Sequence, residues 1–143
     1  MKTNKRKSTE PTYEYQGKPV GERWPINFTN PYWSKKLRMD YLQRRIIVYS
    51  IQYYELSDTC VDDKLYDAVA HQYLWYIRNS EKEEQERTTY WYVFYDFDGS
   101  TGFHLYGRLD DYDRRYLKHI AGHVLMLYRD GHKQGGKSKR KKV

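Results

Sequence analysis

The chain has 143 residues, with 26 Lys and Arg against 19 Asp and Glu and a formal net charge of +7. One domain of the usual roughly 100–150 residues fits this length, and a two-domain enzyme does not. Its 17 Tyr, 4 Trp and 4 Phe predict a core of amphipathic rings, each burying about 150–250 Å² while keeping a polar handle.

The charge is unevenly spread. Residues 1–30 carry +3, residues 31–128 carry −2 and residues 129–143 carry +6, so attraction for a polyanion belongs first to the two ends. A single cysteine, Cys60, excludes an intramolecular disulfide and a multi-cysteine metal site and fits a reducing compartment. No stretch approaches the ~18 apolar residues of a membrane span, and no apolar core follows the basic N-terminus. The expectation is a soluble, cytoplasmic chain with no membrane partner.

Residues 1–30 contain Pro11, Pro19, Pro25, Gly17 and Gly21 and read as an irregular basic arm whose first ten residues are disordered. Pro31 suits the first turn of a helix, with Asn30 as its cap. From Tyr32 to about Leu56, apolar residues recur through Leu37, Tyr41, Ile47, Val48 and Ile51, which predicts one long helix. Its other face carries Lys35, Lys36, Arg38, Arg44 and Arg45, either a solvated surface or a cationic docking face. Asp62 and Asp63 suit the cap and the positive end of a second helix, roughly 63–80, built on Leu65, Tyr66, Val69, Tyr73, Leu74, Tyr76 and Ile77. A short loop between the two predicts antiparallel packing. The charged run Glu81 to Arg87 ends the second helix in solvent.

Thr88 to Phe97 is β-branched and aromatic, Asp98 to Gly102 is turn chemistry, and Phe103 to Tyr106 is apolar again; this predicts a short β-hairpin. Tyr112, Tyr116, Leu117, Ile120, Val124 and Leu127 predict a third helix over Asp110 to Tyr128. Gly131, Gly135 and Gly136 among cations predict a disordered tail after it. The expected fold is mainly α, a helical hairpin plus a C-terminal helix with a small β-hairpin. It divides into a basic arm (1–30), a helical domain (31–128) and a basic tail (129–143).

Three patterns bear on chemistry. The run Val93 to Ser100, with Asp96-Phe97-Asp98-Gly99, resembles the haloacid-dehalogenase nucleophile motif, in which the first Asp attacks phosphorus and the second is acid and base beside Mg²⁺. Only 43 residues follow Ser100, too few for the rest of such a phosphatase site, so the alternative is a turn whose Asp and Gly satisfy loop backbone groups. His119 and His123 have metal-ligand spacing without the glutamate of H-E-x-x-H and read as helix-boundary residues. No cofactor and no metal site is implied. Finally, Lys137, Lys139, Arg140, Lys141 and Lys142, with Lys2, Lys5, Arg6 and Lys7 at the other end, offer salt-dependent, sequence-independent contact with phosphates. Exposed rings beside them suit stacking on single-stranded bases.

The segment Tyr53-Tyr54 to Asp63-x-x-Tyr66-Asp67 resembles the N-terminal helical segment of bacterial NAD-dependent DNA ligases, from roughly Leu42 to Tyr76. In that family an aromatic–His pair closes one helix and the next opens with D-x-x-Y-D, gripping the nicotinamide mononucleotide half of NAD. The resemblance implies Tyr53, Asp63, Tyr66 and Asp67 as nucleotide contacts, with Tyr54 standing where the family has histidine. The ligase nucleophile, the lysine of K-x-D-G, is missing. The dipeptides Asp98-Gly99 and Asp130-Gly131 are preceded by Asp96-Phe97 and Tyr128-Arg129, so adenylation by that route is excluded. The whole chain also resembles small phage-encoded proteins that pair such a hairpin with a downstream D-G-S-T-G-F-H-L segment, here Asp98 to Leu105. The expectation is a non-catalytic protein that engages nucleic acid or a host protein–nucleic-acid complex, inhibiting a host DNA-handling or defence enzyme. The alternative is a nicotinamide-nucleotide binding module.

Overall fold

A computed structural model of the chain describes the backbone of residues 14–15, 18–19, 24–28 and 30–141, and the side chains of 24–28 and 30–131. The fold is mainly helical, with six helices among the described residues: α1 (Lys35–Tyr54), α2 (Asp63–Arg78), α3 (Lys82–Glu86), α4 (Trp91–Phe94), α5 (Leu105–Arg108) and α6 (Asp111–Lys141). In the arm, Glu14–Tyr15 and Lys18–Pro19 form a two-residue antiparallel pairing.

The first helix begins later than Pro31 suggests. Asn30 to Trp33 closes a turn, with the Tyr32 N–H donating to Asn30 Oδ1 at 2.9 Å and the Trp33 N–H to the Asn30 carbonyl at 3.2 Å. Ser34, not Asn30, caps α1, its Oγ accepting from the Leu37 N–H at 3.2 Å. A serine oxygen there satisfies one of the orphan donors of the first turn. From Ile46 to Gln52 every residue is buried, so this stretch of α1 is enclosed on all sides. Each fully buried Leu or Ile there stabilises the fold by about 1.5–3 kcal/mol.

Helices α1 and α2 run antiparallel, as expected. Lys35 at the start of α1 donates to the Asn79 carbonyl just past the end of α2 (2.8 Å), and Gln43 meets Tyr73 midway (3.0 Å). Asp62 caps α2, accepting from the Leu65 N–H at 2.9 Å. The charged run beyond α2 forms a helix of its own, α3, closed by a capping box between Glu81 and Glu84.

The β-hairpin expected over 88–106 does not form. Tyr90, Val93, Phe94 and Phe97 recur at i, i+3, i+4 and i+7, and the first three are buried. This helical spacing overrides the strand preference of rings and β-branched residues. No neighbouring strand is needed for the backbone here either. Buried Gln43 accepts from the Tyr90 N–H (3.0 Å) and donates to Thr88 Oγ1 (2.8 Å), while Asp40 accepts from the Thr89 N–H (2.7 Å). Short helices α4 and α5 result.

The disordered tail is also corrected. Helix α6 continues past Tyr128 to Lys141, a length of about 46 Å at 1.5 Å per residue. Its glycines do not break it: added methyl groups at Gly122 and Gly131 would meet nothing, so these sites lie on open helix surface. Leu117, Ala121 and Leu125 form the buried stripe of α6.

Three fully buried glutamines hold the irregular segments to the helices. Gln43 holds residues 88–90. Gln52 donates to the Ala121 carbonyl of α6 (3.1 Å) and accepts from the Cys60 N–H (3.4 Å). Gln72 accepts from the Ile26 N–H (3.2 Å) and donates to the Ile26 carbonyl (2.8 Å), reproducing with a side chain what a strand partner would offer.

Candidate functional site

The end of α1, the loop 55–62 and the start of α2 enclose a cavity of about 330 Å³. Tyr53 and Tyr54 close α1, whose N-terminal companion Tyr49 lies one turn earlier, and Asp63, Tyr66 and Asp67 occupy the first turns of α2. All five nucleotide-site residues read from the sequence line this one cavity. Its remaining wall is Ser100-Thr101-Gly102, brought in from the segment between α4 and α5.

That wall is fixed by tyrosine hydroxyls. Tyr66 donates to the Ser100 carbonyl at 3.2 Å, and the Tyr54 hydroxyl is hydrogen-bonded to Thr101 Oγ1. Gly102 permits the contact, since a methyl group there would stand 2.0 Å from Ser50 Oγ and 3.0 Å from the Tyr66 hydroxyl. Gly99 turns the chain with φ +91°, a region that favours glycine. Burial pushes the Tyr66 hydroxyl up to about 12, although a hydrogen bond with Ser50 pulls the other way. Tyr53 is 58 % exposed and packs edge-on against Tyr54 at 4.8 Å, leaving ring surface available at the mouth.

The cavity's electrostatics are one-sided. Asp62, Asp63 and Asp67 line it, and no Lys or Arg does. Asp62 is partly occupied as a helix cap. Just outside, Arg129 of α6 forms an ion pair with Asp58 of the loop, and this hydrogen bond is the main cause holding the Asp58 carboxyl below its ordinary range.

The cations of α1 are mostly engaged within the fold. Lys35 pairs with Glu84 (3.3 Å) and Lys36 with Asp40 (2.6 Å). The Arg38 guanidinium lies over Phe28 at 5.5 Å. Arg45 donates to the hydroxyls of Tyr49 (2.8 Å) and Tyr41 (2.9 Å). Arg44 is exposed. Of the C-terminal candidates, Lys137, Lys139, Arg140 and Lys141 belong to the helical continuation of α6, and Lys142 lies outside the described residues, as do Lys2, Lys5, Arg6 and Lys7.

Asp96 and Asp98 do not sit at the end of a strand. Val93 and Phe94 are in α4, Asp96 is bidentate with Arg108 (2.7 and 3.2 Å), and Asp98 accepts from the Ser100 N–H (3.0 Å) and hydroxyl (2.6 Å). Both carboxyls are held below their ordinary range by these bonds. His119 and His123 stack on the surface of α6 with ring centroids 6.3 Å apart. Among the described residues no group of three metal-ligating side chains converges, and no helix is long and apolar enough to cross a membrane.

Comparison with known proteins gives no matching family, no similar curated protein and no similar solved structure. The Ser100–Gly102 wall is the part of the site that sequence reasoning left without a role. Its signal was the D-G-S-T-G run itself, rich in small and hydroxyl side chains and preceding an aromatic, but nothing local says against which helix it lies.

Proposed function

We propose that this chain is a non-catalytic binding module whose cavity takes the nicotinamide half of a nicotinamide nucleotide. The observation that carries this reading is the convergence of Tyr53, Tyr54, Asp63, Tyr66 and Asp67 on one cavity with Ser100 to Gly102. Its volume of about 330 Å³ falls at the lower end of the roughly 300–1,000 Å³ of small-molecule sites.

The lining suits an oxidised nicotinamide ring, which is flat and cationic. Tyr53 and Tyr54 offer ring faces and edges to it, and a cation over a tyrosine ring gains about 0.5–1 kcal/mol at an exposed site. Asp63 and Asp67 supply the negative field. With no cation in the wall, the phosphate of a mononucleotide belongs at the open mouth, toward water. Titration calorimetry tests this. Nicotinamide mononucleotide should release heat, and Asp67→Ala and Tyr53→Ala should each weaken binding about tenfold, whereas adenosine monophosphate should bind less well. A flat trace from the parent chain ends the proposal.

A second reading, engagement of nucleic acid alone or in a host protein–nucleic-acid complex, is favoured by the unbroken run of α6 into a segment with seven cations and one carboxylate over 129–143. Flexible or helical, such a segment gains affinity for phosphates by counterion release. Electrophoretic mobility shift of the full chain at ~50 mM salt tests it, and absence of any shift rules it out.

A further inference from the structure

The outer face of α6 is a ladder of rings. Tyr112, Tyr116, His119 and His123 follow one another at spacings of four, three and four residues, which keeps them on one side of a helix. Within each pair the planes agree: Tyr112 and Tyr116 stack at 6.0 Å with 10° between them, and His119 and His123 at 6.3 Å with 8°. Leu127 continues the row. All five are exposed, Tyr112 and Leu127 at 68 % and 57 %. The buried stripe through Leu117, Ala121 and Leu125 lies on another side, so the core does not use this face.

Two pairs of parallel rings, spread along roughly 16 Å of helix, offer a run of unstacked bases the ring faces it needs. The charge changes along the face, from Asp111 and Asp113 on either side of Tyr112 to cations further on. Arg115 and Lys118 are exposed on the same helix. The helix then runs on into the cationic stretch ending at Lys141.

We infer that the outer face of α6 binds single-stranded nucleic acid, with Tyr112, Tyr116, His119 and His123 stacking on bases and the basic continuation of the helix holding the phosphates. This rests on the second reading above and adds to it a surface and a strandedness. A duplex keeps its bases inside and offers no ring faces to this ladder, so it is left with the phosphate contacts alone.

Fluorescence anisotropy with a labelled 20-nucleotide oligothymidine and a duplex of equal length, on the full chain at two salt concentrations, decides the matter. The single strand should bind at least tenfold tighter than the duplex. Tyr112→Ala with Tyr116→Ala should weaken single-strand binding about tenfold or more and leave the salt slope and the duplex affinity unchanged. Tyr112→Phe with Tyr116→Phe should retain it, since stacking survives loss of the hydroxyls. Equal affinity for both probes, unaltered by the alanine pair, overturns the inference while the phosphate-binding reading stands. No binding of either probe overturns both. A dimeric parent that the alanine pair turns monomeric, measured by sedimentation, assigns the face to a second copy and also overturns the inference.

Discussion

The cavity wall of α2 and the outer face of α6 use the same kind of ring in different electrostatic company. Around the cavity, tyrosines stand with Asp62, Asp63 and Asp67 and with no cation. On α6, Asp111 and Asp113 flank Tyr112, but the row of rings passes Arg115 and leads into a cationic helix end. A tyrosine surface therefore has no preferred partner of its own; in the readings proposed above, the charges nearby suit a cationic ring at one place and a polyanion at the other. A net charge of +7 describes neither.

Gln52 joins the two regions, since its amide touches both the loop of the cavity and Ala121 of α6. Gln52→Ala should have the largest effect, removing about 2–3 kcal/mol of stability by leaving buried groups unpaired, as read from chemical denaturation, and weakening both binding activities together. A variant that lost only one of them would show the regions to be independent. Gly102→Ala comes next. It forces Ser50 or the 100–102 segment aside, so calorimetric binding of nicotinamide mononucleotide should fall at least tenfold while oligothymidine binding stays as in the parent.

A smaller effect sharpens the electrostatic side of the contrast. Because the cavity has carboxylates and no cation, nicotinamide riboside should bind a few-fold tighter than the mononucleotide, whose phosphate adds negative charge. The reverse order would mean that an unrecognised cation reaches the mouth. The smallest effect concerns Asp58 and Arg129. The Asp58 carboxyl is lowered in the folded chain, so its contribution to stability is present above the unfolded value of about 3.9 and is lost as pH falls through the folded value. Acid denaturation of Arg129→Ala should begin at slightly higher pH than in the parent. Identical acid midpoints would remove this pair from the account.

The three long helices were legible because apolar periodicity of 3.6 is a strong signal in Tyr32–Leu56, 63–80 and 110–128. Their ends were less so: Pro31 and Asn30 look like a start, yet the Asn30 side chain is used in a turn and Ser34 takes the cap. Residues 88–106 were misread because rings and threonines favour strands locally, while the spacing of Tyr90, Val93 and Phe94 and the amide of Gln43, some 45 residues away in sequence, favour helix. The tail was misread because its glycines and cations resemble those of disordered segments. In the candidate site, the two walls joined by one short loop could be read from D-x-x-Y-D and its preceding tyrosines. The third wall depends on a tertiary contact, Tyr66 to Ser100, across 34 residues, and no local pattern encodes it.

The buried glutamines also bear on the order of folding. Their bonds close loops of 45, 69 and 46 residues, to Thr88, Ala121 and Ile26, and closing such loops costs entropy before the bonds return anything. Helices α1 and α2, neighbours in sequence, can pair without them. The long-range amide clasps should accordingly form on the late side of the folding barrier, so that kinetic φ-values near zero are expected for the Gln52 and Gln72 clasps, and changing them should speed opening of the native chain more than it slows its formation.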